Sequence, residues 1–259
     1  MIFQYDGTYE GFLCTVFEIY AMHLANDAQI HPADGCLTLE ESRTVENQSG
    51  KADRVSQRLK QLGIASCIYD AWLSRKPDIE NDLFAVIRLA IETGCSPMQA
   101  RQRTCVRNVA AAAHLVRCET HRFLPFTRFV KVEREPEKPG LQVPGETKPG
   151  LYLADIEPAY DILLRIAPHF VRRFQDQCFI IRDQPRGQAL VYDAHHWQIV
   201  SFPELMALPL PRDSQIESLW RQYFDTVAIP WRKNRKLQQH FVPLQYRRYL
   251  TEFQPHESK

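Results

Sequence analysis

Apolar residues recur along this chain in two rhythms, and the change falls near Phe123. Before it the period is helical. Phe12, Leu13, Val16, Phe17, Tyr20 and Leu24 line one face of a first helix, preceded by the loosely alternating "MIFQY", which fits a short strand. The polar stretch "LANDAQIHPADGCLTLEESRTVENQSG" follows, and its Pro and Gly punctuation reads as loops. Residues 51–75 read as one or two helices interrupted by Gly63, with Val55, Leu59, Leu62 and Ile68 inward. Asp78 is placed to cap a further helix that buries Leu83, Phe84, Ile87, Leu89, Ala90 and Ile91 and stops at Gly94. Pro97 opens a longer helix over 97–121, packed through Val106, Val109, Ala110, Ala113 and Val116.

Beyond Phe123 the period shortens to two. "RFVKVER", "LYLADI", "CFIIRD", "ALVYDA" and "WQIVSF" alternate as strands of an antiparallel sheet. The Pro/Gly/charge-rich "EPEKPGLQVPGETKPG" between the first two reads as an exposed hairpin loop. Between the second and third, 156–174 fits a helix with Ile162, Leu163, Ile166 and Phe170 inward. From Asp213 the helical rhythm resumes through Ile216, Leu219, Trp220, Tyr223 and Phe224, and short helices follow Pro230. The expected class is α+β: a helical N-terminal half, then an antiparallel sheet of about five strands with covering helices and a helical C-terminus. The division is expected as 1–122 and 123–259, packed together as one unit.

At 259 residues and 44% hydrophobic content the chain has enough apolar surface for a substantial core. No apolar run approaches the roughly 18 residues of a membrane span, and no basic, signal-like start is present, so a cytoplasmic protein without membrane contact is expected. Seven scattered cysteines without a C-x-x-C pair argue for reduced thiols rather than a disulfide framework or a thiolate zinc site. The net charge of +1 hides segregation. Residues 1–50 hold one basic side chain against eight acidic ones, whereas 51–131 hold fourteen basic against seven acidic. Segment 212–259 is basic again, by +4. Such segregation fits a surface facing a polyanion, and equally fits acidic and basic segments that pack together and cancel.

Candidate chemistry is sparse. "YDGTYEGF" (5–12) joins a strand to a helix start, where phosphate loops occur, but Gly11 is followed by Phe-Leu and not by Lys-Ser/Thr. Asp6-Gly7 as a turn, Thr8 as an N-cap and Glu10 in the first turn fit better. Gly11 in a first helical turn implies a close approach by a neighbour or a ligand. The doublet His195–His196 in "YDAHHW" fits a hairpin turn, and His114 and His121 lie two turns apart, too far for one metal. No metal site and no cofactor are expected. The basic clusters "HRFLPFTRF", "PHFVRRF", "WRKNRK" and "QYRRY" interleave arginine with aromatic residues, a mixture that serves phosphate contact and base stacking, or a core flanked by solvated charges.

Six pieces in order, "YDGTYEGFLCTVFEIY", "HRFLPFTRF", "LYLADIEPAYDILLRIAPHFVRRF", "IIRDQPRGQALVYD", "SLWRQYFDTVAI" and "NRKLQQHFVPLQYRRYL", resemble an uncharacterised bacterial family described as probable DNA-metabolism proteins. The C-terminal part resembles a domain of unknown function that also occurs fused to uracil-DNA glycosylase-like proteins. The resemblance implies a DNA-related accessory role, often beside a radical-SAM DNA modification or repair protein, and supplies no catalytic residues. Candidates for phosphate contact are Arg122, Arg128, Arg172, Arg173, Arg232, Lys233, Arg235, Arg247 and Arg248. Two alternatives stand beside DNA binding. One is a nucleic-acid-processing enzyme with Asp6, Glu10 and His169 in one cleft. The other is an interaction subunit for the radical-SAM partner, using the acidic N-terminal segment.

Overall fold

The chain divides into two units, Met1–Cys118 and Glu119–Lys259, with the boundary inside one helix. The computed structural model describes residues 1–33, 42–132, 150–201, 222, 242–250 and 253. The expected tail helix from Asp213, Gln222 apart, and the expected loop from Glu135, up to Gly150, lie outside the described residues.

The first unit opens with β1 (Ile2–Tyr5), followed by α1 (Tyr9–Ala21), β2 (Gln29–Pro32) and β3 (Ser42–Thr44). The strands form a parallel sheet in the order β2-β1-β3. β2 and β3 fall where the sequence reads as loops. They are short and polar, and their register comes from pairing with the buried β1, not from their own pattern. Four helices follow: α2 (Ser49–Gln61), α3 (Ala65–Trp72), α4 (Ile79–Thr93) and α5 (Thr104–Phe126). Gly63, in the left-handed conformation, separates α2 from α3, and Gly94, also left-handed, ends α4 as expected. Asp78 does not cap α4, because its own backbone is left-handed and its side chain makes no capping bond. α5 begins at Thr104 and not at Pro97, since 97–103 is held in turns closed by Ala100 N–H to Pro97 C=O and Arg103 N–H to Ala100 C=O.

The buried side of this unit includes Phe3, Tyr5, Phe12, Ile19, Ile68, Leu83, Ile87 and Val109. Buried Tyr5 is matched internally. The Tyr5 hydroxyl donates to Glu80 at 3.0 Å and accepts from the Trp72 indole at 3.3 Å. Burial pushes that phenol well above its ordinary range, so Tyr5 stays a neutral donor.

The second unit carries β4 (Val130–Val132), β5 (Leu151–Ile156), α6 (Leu163–Arg173), β6 (Cys178–Asp183), β7 (Gln188–Tyr192), β8 (Trp197–Val200) and a 3-10 helix at Leu244–Tyr249. The five strands form one sheet in sequence order. The class is α+β, but the sheet is mixed and not antiparallel: β5 and β6 run parallel, Leu151 opposite Cys178 through Ile156 opposite Asp183. α6 is the reason. A hairpin would reverse the chain, whereas the segment 157–162 and the 11-residue α6 carry it back to the end where β5 began. α6 starts later than expected, at Leu163, and Ile162, Leu163, Ile166 and Phe170 are inward as expected.

The opening motif resolves as a cap. Asp6 accepts from the Thr8 backbone N–H at 3.0 Å and from its hydroxyl at 2.7 Å, and Asn47 donates to the second carboxylate oxygen at 2.6 Å. Thr8 in turn accepts the Gly11 N–H at 3.0 Å, an N-cap on α1. A Cβ on Gly11 would sit 2.2 Å from Asp6 Oδ1 and 2.9 Å from Asn47 Oδ1, so the close approach is made by neighbours. Gly11→Ala should therefore destabilise the protein by about 1–3 kcal/mol, although alanine is the better helix former by about 1 kcal/mol. In an Asp6→Ala background the same substitution should cost less than about 1 kcal/mol. Denaturant midpoints of the four proteins test this; equal costs in both backgrounds would refute it.

Candidate nucleic-acid interface

Register places one row of side chains across all five strands of the second unit. Lys131 stands opposite Tyr152, Tyr152 opposite Phe179, Phe179 opposite Tyr192, and Tyr192 opposite Trp197. Directly paired residues share a face, so one lysine and four aromatic rings line the same side of the sheet. Phe174, at the C-cap of α6, lies on this row, and Phe170 of α6 joins it through Phe129. Phe174 lies 5.8 Å from Tyr152 and 5.9 Å from Phe179, and Phe129 meets Phe170, Phe174 and Phe179 at 4.7 to 5.7 Å. The middle of the row is therefore core, with Phe179 and Tyr192 buried. Its ends are not: Tyr152, Phe129 and Phe174 are half-buried, Lys131 is exposed, and Trp197 is 39% exposed.

Basic residues gather beside the same rings. Arg172 and Arg173 close α6 and are exposed; Arg173 stands 5.9 Å from the Phe174 ring, and Arg172 donates through Nε to the Pro168 carbonyl. Arg128 precedes Phe129, is half-buried, and donates to the Pro125 carbonyl at 2.6 Å. Because Phe129 and Phe174 touch, Arg128 and Arg173 belong to adjoining stretches of chain. Arg122 is exposed on α5. The last cluster is engaged elsewhere. Arg248 pairs with Glu157, and Arg247 bonds the Val242 carbonyl and stacks at 4.4 Å on Phe253. Arg232, Lys233 and Arg235 lie outside the described residues.

The opposite end of β5 and β6 is built from charge, which sequence reasoning did not single out. On the other face of the sheet, Asp155 and Arg182 stand directly opposite in the parallel register, and the guanidinium grips the carboxylate with two bonds of 2.5 and 2.8 Å. Both are buried. One residue beyond, Asp183 is fully buried and meets Arg186 at 3.1 Å. Arg186 also donates to the carbonyls of Pro158 and Ala159, while Glu119 accepts the amides of Ala159 and Tyr160 at 3.0 and 2.9 Å. Glu157 accepts from Arg248 and from the Tyr249 hydroxyl. The connection between β5 and α6 is thus held by both its carbonyls and its amides. The only hint in the sequence was acidic and basic residues at the ends of two alternating segments.

Of the proposed acidic site, Asp6 and Glu10 are exposed in the first unit, with Asp6 committed to Thr8 and Asn47, and His169 is half-buried on α6 in the second. The His195–His196 doublet sits in the β7–β8 turn, where Asp193 accepts both backbone N–H groups, and these bonds hold its carboxyl below the usual range. Among the described residues no three His, Cys, Asp or Glu side chains gather as a metal-holding group.

Burial pushes the Asp183 carboxyl up to about 6 from an ordinary 3.8, against the pull of Arg186. The folded state therefore binds more protons than the unfolded one between about pH 4 and 6, and stability attributable to Asp183 should fall as pH rises through that window. Asp183→Asn should remove this fall, whatever it does to absolute stability. Urea midpoints of both proteins from pH 4 to 7 test it; an unchanged slope in the variant would refute it.

Neither a curated protein nor a solved structure matches the chain. One family model does, over residues 77–252, from just before α4 to just past the 3-10 helix. It describes a domain of unknown function, DUF4130, and the match takes in the aromatic row, the arginines beside it and the charged end of the sheet. With well over half its length matched, the chain belongs to the DUF4130 family.

Proposed function

We propose that this protein is a DNA-metabolism accessory protein that binds single-stranded nucleic acid through the aromatic row of its second unit. The observation that carries the reading is the register Lys131–Tyr152–Phe179–Tyr192–Trp197, with exposed Trp197 at one end, half-buried Tyr152 beside exposed Lys131 at the other, and Arg172 and Arg173 beside it. Unpaired bases stack on aromatic faces regardless of sequence, and arginines track the phosphates. A duplex hides its bases, so a ring open to solvent on the row favours a single strand. The resemblance to probable DNA-metabolism proteins points the same way. The second reading, an interaction subunit of a radical-SAM DNA modification or repair protein, rests on the acidic N-terminal segment of the sequence.

Fluorescence anisotropy with a labelled oligonucleotide, from 50 to 200 mM salt, separates these. Binding should weaken as salt rises, and the Arg172→Ala/Arg173→Ala variant should flatten the log–log slope by about 0.7 for each phosphate no longer neutralised. Trp197→Ala should weaken binding by about 1–3 kcal/mol and leave the slope unchanged. A wild-type protein without affinity at the lowest salt overturns the nucleic-acid reading in favour of the partner reading.

A further inference from the structure

The first unit contains a cavity that neither the aromatic row nor the charged end of the sheet accounts for. It measures about 460 Å³, within the range of small-molecule sites. Its floor is Ala110 and Ala111 on α5, where a run of four alanines keeps side-chain volume low. His114 and Arg117, three to four residues further along α5, fall on the same strip. Cys67 of α3 and Arg101, from the turns before α5, face them.

The two arginines are fixed in a particular way. Arg101 donates from Nε to the Met98 carbonyl at 3.2 Å. Arg117 donates from Nε to the Ala113 carbonyl at 3.2 Å, and the same nitrogen is 3.5 Å from the buried carboxylate of Asp70. Each guanidinium is thus anchored by its inner nitrogen. Its two outer nitrogens make no hydrogen bond to any described residue. Both charges also reach Cys67: burial pushes its thiol up, and Arg117 and Arg101 each pull it back. Asp70 offsets part of this positive charge from behind Arg117, and among the described residues that line the cavity none is acidic. The favourable counterpart is an anion with several oxygens, because a guanidinium fork matches a phosphate or carboxylate with paired bonds. Two forks together suit the three terminal oxygens of a phosphate better than the two of a carboxylate.

We infer that this cavity is a binding site for a terminal phosphate monoester, carried on a small metabolite or on the end of a nucleic-acid strand. The guanidinium groups of Arg101 and Arg117 hold the phosphate, and His114 and the small, soft side chains of Ala110, Ala111 and Cys67 surround what is attached to it. The inference stands on the first unit alone and is independent of the nucleic-acid reading of the second.

Isothermal titration of the full chain with inorganic phosphate, adenosine 5′-monophosphate and adenosine tests it, alongside a short oligonucleotide with and without a 5′-phosphate. The monophosphate should bind at least about tenfold more tightly than adenosine, a difference of about 1.4 kcal/mol. Tighter binding of the 5′-phosphorylated strand than of the same strand without the phosphate would assign the site to strand ends; equal binding of the two strands, beside tight binding of the monophosphate, would assign it to a free metabolite. Arg101→Ala removes an exposed side chain whose one hydrogen bond among the described residues is to Met98, and it should weaken phosphate binding about tenfold with melting unchanged. Arg117→Lys keeps a cation against Asp70 but loses the fork, and it should weaken binding as well. The Arg172→Ala/Arg173→Ala variant should bind the monophosphate as the wild type does. Equal affinity for adenosine and its monophosphate, no binding of any phosphate at millimolar concentration, or full affinity in Arg101→Ala would each overturn the assignment.

Discussion

The second unit depends on the parallel register of β5 and β6. Fixing Leu151 opposite Cys178 sets three pairs at once. Tyr152 meets Phe179 at one end, Asp155 meets Arg182 on the other face, and Ile156 meets Asp183 at the far end. A slip of one residue would turn Arg182 and Asp155 toward opposite faces and leave a buried charge uncompensated, at a cost of about 3–5 kcal/mol. The ion pair need not add net stability over an apolar pair of the same size; its strength is that it excludes the neighbouring registers. The aromatic row is a second reading of that same choice, since Lys131, Tyr192 and Trp197 join it only because β5 and β6 are aligned this way.

What the sequence discloses here is whatever has a period. α4 carries buried residues three and four apart along its length, α2 buries Ala52 and Leu59 two turns apart, and left-handed glycines at 63 and 94 stand at the helix boundaries. β5 through β8 alternate long enough to be seen. The parallel pairing of β5 and β6 was not legible, because alternation is the same in either direction and only the length of the connection tells them apart. β2 and β3 were hidden for the opposite reason: at four and three residues, with polar composition, they show no alternation. Asp78 shows the limit of composition, since a good capping residue in a left-handed conformation caps nothing.

The candidate sites divide along the same line. The mixture of arginine and phenylalanine around 128 and 172 was visible as composition, and its adjacency is a tertiary fact carried by the contact of Phe129 with Phe174. That Arg248 is already paired with Glu157, ninety residues away, could not be read from "QYRRY". Gly11 announced a close approach, and the residue that makes it, Asp6, lies five positions earlier with Asn47 behind it. The alanine run of α5 looked only like helix former and packing surface. Its role as a cavity floor appears once Arg101 is brought opposite it.

The sheet of the second unit tapers. Among the described residues its interior strands β5 and β6 have six residues each, whereas the outer strands β4 and β8 have three and four. An outer strand offers its unpaired backbone groups to any extended chain that arrives, and a six-residue edge rich in apolar side chains would be a template for uncontrolled association. Here the long apolar strands are internal, and the short ones outside carry Lys131 on one flank and Gln198 on the other. A sheet this dense in aromatic rings is, by its composition, one that would stack on itself. Among the described residues, the taper leaves Trp197 open to solvent without a long edge strand for another copy to extend.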